Sequence, residues 1–175
     1  MATKTALISI LCEDRPGLIA DVAGRLYDLG INLGDTSFAV LGSGAKLTIV
    51  AKLPADISIA DVDEELRSMP VLKGGEMTVA PFAYRETHDQ TAHITHGIEI
   101  MGDDSPGLIA RLCEALRRMG ANVVELNSES ASGTSGARFE LRMAIWVPPG
   151  KEGVCMATIA NTAGQMNLSC RWQQV

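Results

Sequence analysis

A seven-residue stretch occurs twice in this chain, ninety positions apart, and it constrains the fold more than any other feature. Residues 14–20 are Asp-Arg-Pro-Gly-Leu-Ile-Ala, and residues 104–110 are Asp-Ser-Pro-Gly-Leu-Ile-Ala. The similarity continues downstream, because nine of the nineteen positions in 14–32 are identical in 104–122 without a gap. A repeat of this length indicates that the chain is built from two copies of one structural unit.

Each copy is long enough to be a domain. The chain has 175 residues, of which 46% are hydrophobic. A half of about 80 to 90 residues with that composition can bury a core and fold by itself. We therefore predict a first domain at residues 1–85, a polar linker at 86–92 and a second domain at 93–175.

Hydrophobic periodicity predicts the same order of elements in both halves. The first half has predicted strands at 4–12, 31–41, 45–53 and 76–84, with helices after the repeated stretch and at 59–69. The second half has predicted strands at 93–101, 122–130, 137–147 and 167–172, with helices at 106–119 and 154–163, and a loose hairpin loop at 132–136. The order β-α-β-β-α-β predicts an α+β, ferredoxin-like fold, with four antiparallel strands and both helices on one face.

Charge and apolar patterning exclude some classes of function. The formal net charge is −6, which argues against direct binding of nucleic acid, because that needs a basic surface. No apolar run approaches the length of a membrane span and no signal peptide is visible, so we expect a cytoplasmic protein without a membrane anchor. The four cysteines show no paired spacing and are expected to be free thiols.

The repeated stretch has features of both a helix start and a binding loop. Proline fits the first turn of a helix, and an aspartate before it suits the positive end of the helix dipole. Free N–H groups at a helix start can bind a carboxylate or phosphate, and the glycine leaves room for a close approach. The alternative is plain helix initiation with an acidic cap. Two copies in the same context favour a site.

Together, the loop, the helix and the start of the second strand, residues 14–33, resemble the ACT domain family of small-molecule regulatory modules. The tandem arrangement is similar to that of the glycine cleavage system transcriptional repressor family, as is the sequence Leu-Lys-Gly-Gly-Glu at 72–76. The resemblance covers nearly the whole chain. It implies two tandem ferredoxin-like ACT domains that pair through strand edges into an eight-stranded sheet.

The resemblance also implies a binding site for an amino acid, glycine or another small one, where the first loop of one unit meets the second strand of the other. In this site the N–H groups after the loop glycine would bind the carboxylate, the loop aspartate would pair with the ammonium, and a strand asparagine would contact both. The residues this assigns are Asp14, Arg15, Gly17, Leu18, Asn32, Asp104, Ser105, Gly107, Leu108 and Asn122.

Several of these residues have a structural alternative. Leu18 and Ile19 also suit a core, which is the interpretation we favour for both. Asn32 and Asn122 are equally compatible with turn chemistry at the start of a strand. For Arg15 a solvated surface charge is favoured over a ligand contact. The second copy has Ser105 at this position, a good N-cap. If the copies have diverged in this way, one site binds and the other is structural; binding at both sites stays open.

No other constellation predicts a metal site, a cofactor or catalysis. His93 and His96 would point to opposite faces of a strand, which is poor geometry for chelation. Cys12 ends the first strand beside the loop, but it lacks the base and orienting group that a nucleophile needs. We favour a buried thiol at this position.

The resulting hypothesis is a non-enzymatic regulator that senses an amino acid. It would modulate transcription of glycine and one-carbon metabolism through a DNA-binding partner protein, and it would form a homodimer. Two alternatives stay open: a ligand-independent interaction module, and the regulatory subunit of a metabolic enzyme.

Overall fold

The chain divides into two units, residues 1–84 and 85–175. A computed structural model describes residues 4–104, 106–133 and 136–175. The boundaries of the domains and linker, 1–85, 86–92 and 93–175, stay a prediction. Ser105 and the tip of the predicted loop at 132–136 lie outside the described residues.

Unit 1 contains four strands and two helices. They are β1 (Lys4–Glu13), α1 (Leu18–Asp28), β2 (Asn32–Leu41), β3 (Gly44–Leu53), α2 (Ile59–Ser68) and β4 (Glu76–Pro81), with a 3-10 turn at Pro70–Leu72. A capping box starts α2, because the Ser58 side chain accepts the Asp61 N–H at 3.1 Å and the Asp61 carboxylate accepts the Ser58 N–H at 2.7 Å.

Unit 2 repeats this order. Its elements are β5 (His96–Asp103), α3 (Leu108–Met119), β6 (Asn122–Gly133), β7 (Gly136–Trp146), α4 (Glu152–Gly164) and β8 (Ser169–Gln174), preceded by a 3-10 turn at Gln90–Ala92. The described part of the chain contains no helix that is both long and apolar enough to cross a membrane.

Each unit holds one antiparallel sheet. The strand order is β2-β3-β1-β4 in unit 1 and β6-β7-β5-β8 in unit 2. This is the order expected when two β-α-β segments are interleaved, and it confirms the predicted α+β, ferredoxin-like fold. In both units the second strand is at one edge, and the first strand is in the interior.

Alternation along the strands places the core on one side of each sheet. In β1 the buried positions are Ala6, Ile8, Ile10 and Cys12, none more than 7% exposed. They share a hydrophobic cluster with the buried face of α1, which consists of Leu18, Val22 and Leu26. The helices therefore cover one face of the sheet, and the opposite face is left without a helix.

Some predicted boundaries are wrong by a few residues. Strand β4 ends at Pro81 and not at 84, although the Phe82 N–H still donates to Thr5 O at 2.9 Å. Strand β5 begins at His96 and not at 93, because the His93 N–H donates to Gln90 O within the preceding turn. Strand β8 starts at Ser169, after Asn167 takes a left-handed conformation with φ of 58°.

The two histidines predicted to share a strand do not do so. His93 lies before the strand, whereas His96 lies in it and is 3% exposed. The described residues contain no group of three or more potential metal ligands. The four cysteines are free, with Cys12 and Cys155 buried.

Candidate functional site

The repeated loop of unit 1 lies at one end of the sheet, between β1 and α1. Its start is tied to the hairpin that joins β2 and β3, since Glu13 pairs with Gly44 in the ladder and the Asp14 N–H donates to Ser43 O at 2.9 Å. This bond positions the loop beside the end of the edge strand β2.

The glycine of the loop is required by backbone conformation. Gly17 is the N-cap of α1 with φ of 89°, and Gly107 is the N-cap of α3 with φ of 82°. A Cβ at either position would meet nothing within 4 Å in the described structure. The left-handed backbone conformation therefore explains why glycine is repeated at this position. Lack of space for a side chain does not explain it, because no neighbouring atom would contact a Cβ there.

The position of proline differs from the prediction. The helices begin at Leu18 and Leu108, two residues after Pro16 and Pro106. The expectation that proline occupies the first helical turn, and that the second helix begins at 106, is wrong. Proline instead precedes the capping glycine in a turn, where its fixed φ is also suitable.

The start of α1 leaves backbone donors free. The Leu18 N–H donates to Arg15 O at 3.3 Å and the Asp21 N–H donates to Gly17 O at 2.9 Å. Among the described residues, no acceptor is found for the N–H groups of Ile19 and Ala20. These are the orphan donors of a helix N-terminus, where the helix dipole also favours an anion.

Arg15 is not a fully solvated charge, which corrects the interpretation favoured from the sequence. Its side chain is 39% exposed, and its Nη2 lies 3.9 Å from Glu13 Oε2. The Arg15 Nε is shielded from solvent and has no hydrogen-bond partner among the described residues. A buried donor without a partner is costly, so an acceptor supplied by a ligand would satisfy it.

An open groove of about 510 Å³ connects these donors with the edge strand. It is lined by residues 14–20 together with Phe38 and Val40 of β2. Ile19 is 44%, Phe38 37% and Val40 51% exposed. The preference for Ile19 as a core residue was therefore wrong, and it forms part of the groove.

Two predicted site residues belong mainly to the core. Leu18 and Leu108 are each 2% exposed and lie in the hydrophobic clusters of their units. Their repetition is explained by packing under the first turn of each helix, as the alternative interpretation of Leu18 held.

Within unit 1, the predicted asparagine lies far from the loop. Asn32 pairs with Lys52 at the opposite end of β2 from Val40. Eight residues of strand separate the two, about 26 Å at 3.3 Å per residue. The predicted site combined the loop of one unit with the asparagine of another, and that combination stays a prediction.

In unit 2 the corresponding residues have partners within the unit. The Asn122 side chain donates to Thr91 O at 2.9 Å and anchors the 3-10 turn before β5. This contact favours the structural role of Asn122. The Ser130 hydroxyl lies 3.5 Å from a carboxylate oxygen of Asp104, which is exposed beside the second loop.

The strand ladders identify which residues of β6 correspond to the groove residues of β2. Phe38 is equivalent to Ser128 and Val40 to Ser130, because each pair lies across from equivalent residues of the neighbouring strand. The wall beside the loop is therefore apolar in unit 1 and carries hydroxyl groups in unit 2. The two copies offer different chemistry at the same place in the fold.

Sequence reasoning did not assign Ile19, Phe38 or Val40 to the site. All three are apolar and were placed in elements expected to face a core. The Cys12 thiol, which was considered as a pocket residue, is buried in the core, and this burial raises its pKa. A thiol with a raised pKa is a weak nucleophile at neutral pH.

The two ferredoxin-like units each carry the sequence Asp-x-Pro-Gly-Leu, which ends at the first residue of their first helix. The family model named ACT domain matches residues 6–71, and a second ACT domain model matches residues 98–173. The chain belongs to the ACT domain family and contains two ACT domains in tandem. ACT domains are regulatory, and the family indicates amino-acid sensing.

Two solved structures share the fold over the whole chain. One is an unknown protein from Galdieria sulphuraria, with 19% identity, a TM-score of 0.75 and 99% of each chain covered. The other carries the provisional name of glycine cleavage system transcriptional repressor, with 14% identity, a TM-score of 0.69, and 100% of this chain and 99% of that chain covered. No sequence among curated proteins matches the chain.

Proposed function

We propose that this protein senses a small amino acid and modulates transcription of glycine and one-carbon metabolism through a DNA-binding partner protein. The tandem ACT domains and the likeness to a repressor-type structure support this proposal. The net charge of −6 is the reason for placing DNA recognition on the partner. In this proposal the protein acts in the cytoplasm, as a homodimer and without enzymatic activity.

The observation that carries the proposal is the groove between the first loop and β2. The loop that lines it carries three donors without a partner among the described residues: the N–H groups of Ile19 and Ala20 and the Nε of Arg15. The carboxylate of an amino acid accepts hydrogen bonds from such donors. Asp14, exposed at the same loop, provides a carboxylate for the ammonium group.

The apolar wall adds a criterion for the side chain of the ligand. Phe38 and Val40 offer hydrocarbon surface that glycine cannot cover. Alanine and valine would bury part of this surface, at about 25 cal/mol for each Å² removed from water. A second unit, contributing Asn32 or Asn122, would close the open side of the groove.

A thermal-shift screen of the twenty amino acids, followed by titration calorimetry of each hit, tests the proposal. A ligand at a hundred times its Kd stabilises the folded state by about 2.7 kcal/mol, which moves the melting temperature by several degrees. Arg15→Ser, which installs the residue of the second copy, should weaken binding at least tenfold, because a hydrogen bond to a charged group contributes about 1.5–3 kcal/mol.

Arg85→Ser is the matched control. Arg85 is an exposed arginine that pairs with Asp89 at 2.9 Å and does not line the groove. Binding should survive this change. A screen without any hit, or equal binding by the two variants, would contradict the proposed site.

A second candidate function is a ligand-independent interaction module. It is favoured by the apolar side chains on the edge strand β2, where Phe38, Val40 and Leu41 are 37%, 51% and 59% exposed. An edge strand with free backbone groups can pair with another strand. If this candidate holds, Val40→Lys abolishes association in sedimentation experiments, and no amino acid changes the result.

A further inference from the structure

The sheet of unit 1 has a face without helices, and the residues at its central positions are uncharged. We name this surface the open face; its central residues are Leu7, Ser9, Leu11, Thr48, Val50 and Ala80. Leu11 is 37% exposed, and Leu7 and Val50 are half-buried. An apolar sheet face of this kind is commonly covered by another layer.

Two opposite charges flank the centre of the open face. Leu11 pairs with Lys46 of β3 on one side and with Glu76 of β4 on the other, so the three side chains form one row across the sheet. Neither Lys46 nor Glu76 has an ion-pair partner within the described ranges; the Lys46 ammonium donates to the Ser9 hydroxyl. Glu13 and Lys52 lie at the two ends of the face.

This row is complementary to itself under a two-fold rotation. If the axis lies between two copies and parallel to β1, the rotation exchanges the β3 side with the β4 side. Lys46 of each copy then lies over Glu76 of the other, Val50 lies over Ala80, and Leu11 meets Leu11. Sheets that pack face to face have strands within about 30° of each other, which this axis permits.

We propose that the open face of unit 1 packs against the same face of a second copy of this chain. The corresponding face of unit 2 has different chemistry, because Glu99 lies between Arg142 and Arg171 in adjacent strands. A row of three charges suits water and does not match an apolar face. The isologous contact with unit 1 of the other copy satisfies both the apolar centre and the two flanking charges.

The area of the contact predicts a weak dimer. With the axis parallel to β1, strands β3, β1 and β4 of one copy lie over β4, β1 and β3 of the other, and the edge strand β2 has no strand opposite it. Three strands at about 4.8 Å spacing, over roughly 26 Å of strand, give about 370 Å² per copy. The pair would bury about 750 Å², which is below the usual range for a stable interface and is typical of a transient one. We therefore expect dissociation at roughly tens of micromolar or above, without any added ligand.

Charge reversal and its compensation test this interface. Sedimentation velocity of the full chain at 1 to 200 μM, with concentrations spaced about the expected range, should show a dimer for the natural sequence. Lys46→Glu and Glu76→Lys should each weaken dimerisation at least tenfold, because like charges would face each other twice. The double variant, in which the charges are exchanged, should restore it.

Two further variants separate this contact from other modes of association. Val50→Arg should give a monomer, whereas Glu99→Lys on the unit 2 sheet should leave the dimer intact; circular dichroism establishes that each variant is folded. A monomer at all concentrations, dimerisation unaffected by the single reversals, or a double variant that stays monomeric would each overturn the proposal. The ligand screen is independent of this result, because the interface does not include the groove.

Discussion

A pair of glycine substitutions in unit 1 tests whether the first helix begins with a left-handed glycine cap at the end of the repeated loop. Gly17 and Gly24 are both exposed, and a Cβ at either position meets nothing within 4 Å. They differ in backbone conformation, since Gly17 has φ of 89° and Gly24 lies inside α1. Replacement by alanine therefore adds the same methyl group to open space at both sites, and only the conformational term differs.

The two changes should have opposite signs. An L-residue in the left-handed region costs roughly 1–2 kcal/mol, so Gly17→Ala should lower the free energy of unfolding by that amount. Alanine in a helix is more stable than glycine by roughly 0.5–1 kcal/mol, so Gly24→Ala should raise it. A difference of about 2 kcal/mol separates the melting temperatures by more than about 8 °C in a domain of this size.

The assay must report on unit 1. Both tryptophans, Trp146 and Trp172, lie in unit 2, so fluorescence follows that unit. Hydrogen exchange measured on peptides from β1 and β3, together with far-UV circular dichroism, follows the first. If Gly17→Ala proves neutral or stabilising, the left-handed cap is wrong, and the glycine of the repeat would then need a functional explanation.

Three other perturbations have defined outcomes. Ser58→Ala removes the cap of α2 and should destabilise unit 1 by about 1 kcal/mol in urea denaturation. Gly75→Ala places a Cβ 2.8 Å from the Cβ of Cys12 and should cost roughly 1–3 kcal/mol in the same assay. Hydrogen bonds from Arg117 and Arg118 lower the pKa of Glu114 to about 2. The ionised carboxylate therefore contributes its full stabilisation above the ordinary pKa of 4.5, and this contribution is lost as the pH falls towards 2. Carbon NMR of the Glu114 carboxyl should find its titration midpoint at about 2, and Arg117→Ala should raise that midpoint.

The fold could be predicted because local patterns specify it. Alternation of apolar residues fixes which face of each strand is buried, and the helical period fixes which stripe of each helix covers it. The internal repeat then allows only interleaved units of the same order. The start of the helices was misplaced because both proline and glycine are compatible with the first turn, and only the φ of Gly17 shows which residue is the cap.

The groove could not be predicted for a reason of topology. Phe38 and Val40 lie on the helix side of β2, where an interior strand would bury them. Only the strand order, which places β2 at the edge, leaves them partly exposed. The role of Asn122 was equally hidden, because its acceptor, Thr91 O, is 31 residues away in sequence.

Comparison of the two copies indicates where function resides in this chain. The positions that they share include a glycine required by a left-handed turn and a leucine buried beneath the helix, so identity between the copies largely reflects folding. Of the nine residues that line the groove, six are shared with the second copy, and three, Arg15, Phe38 and Val40, differ from it. Selectivity for a ligand should therefore follow the differences.

A variant in which the groove wall of unit 1 is made like that of unit 2 should change its preference among ligands. Phe38→Ser together with Val40→Ser should weaken binding of valine about tenfold, because its side chain loses apolar contact worth roughly 1–2 kcal/mol. Binding of glycine, which has no side chain to lose that contact, should not change. Calorimetry with both amino acids separates the two effects, and the thermal stability of the variant without ligand shows whether unit 1 is intact. Equal losses for valine and glycine in a stable variant would mean that the wall does not select the ligand, and that binding depends on the loop alone.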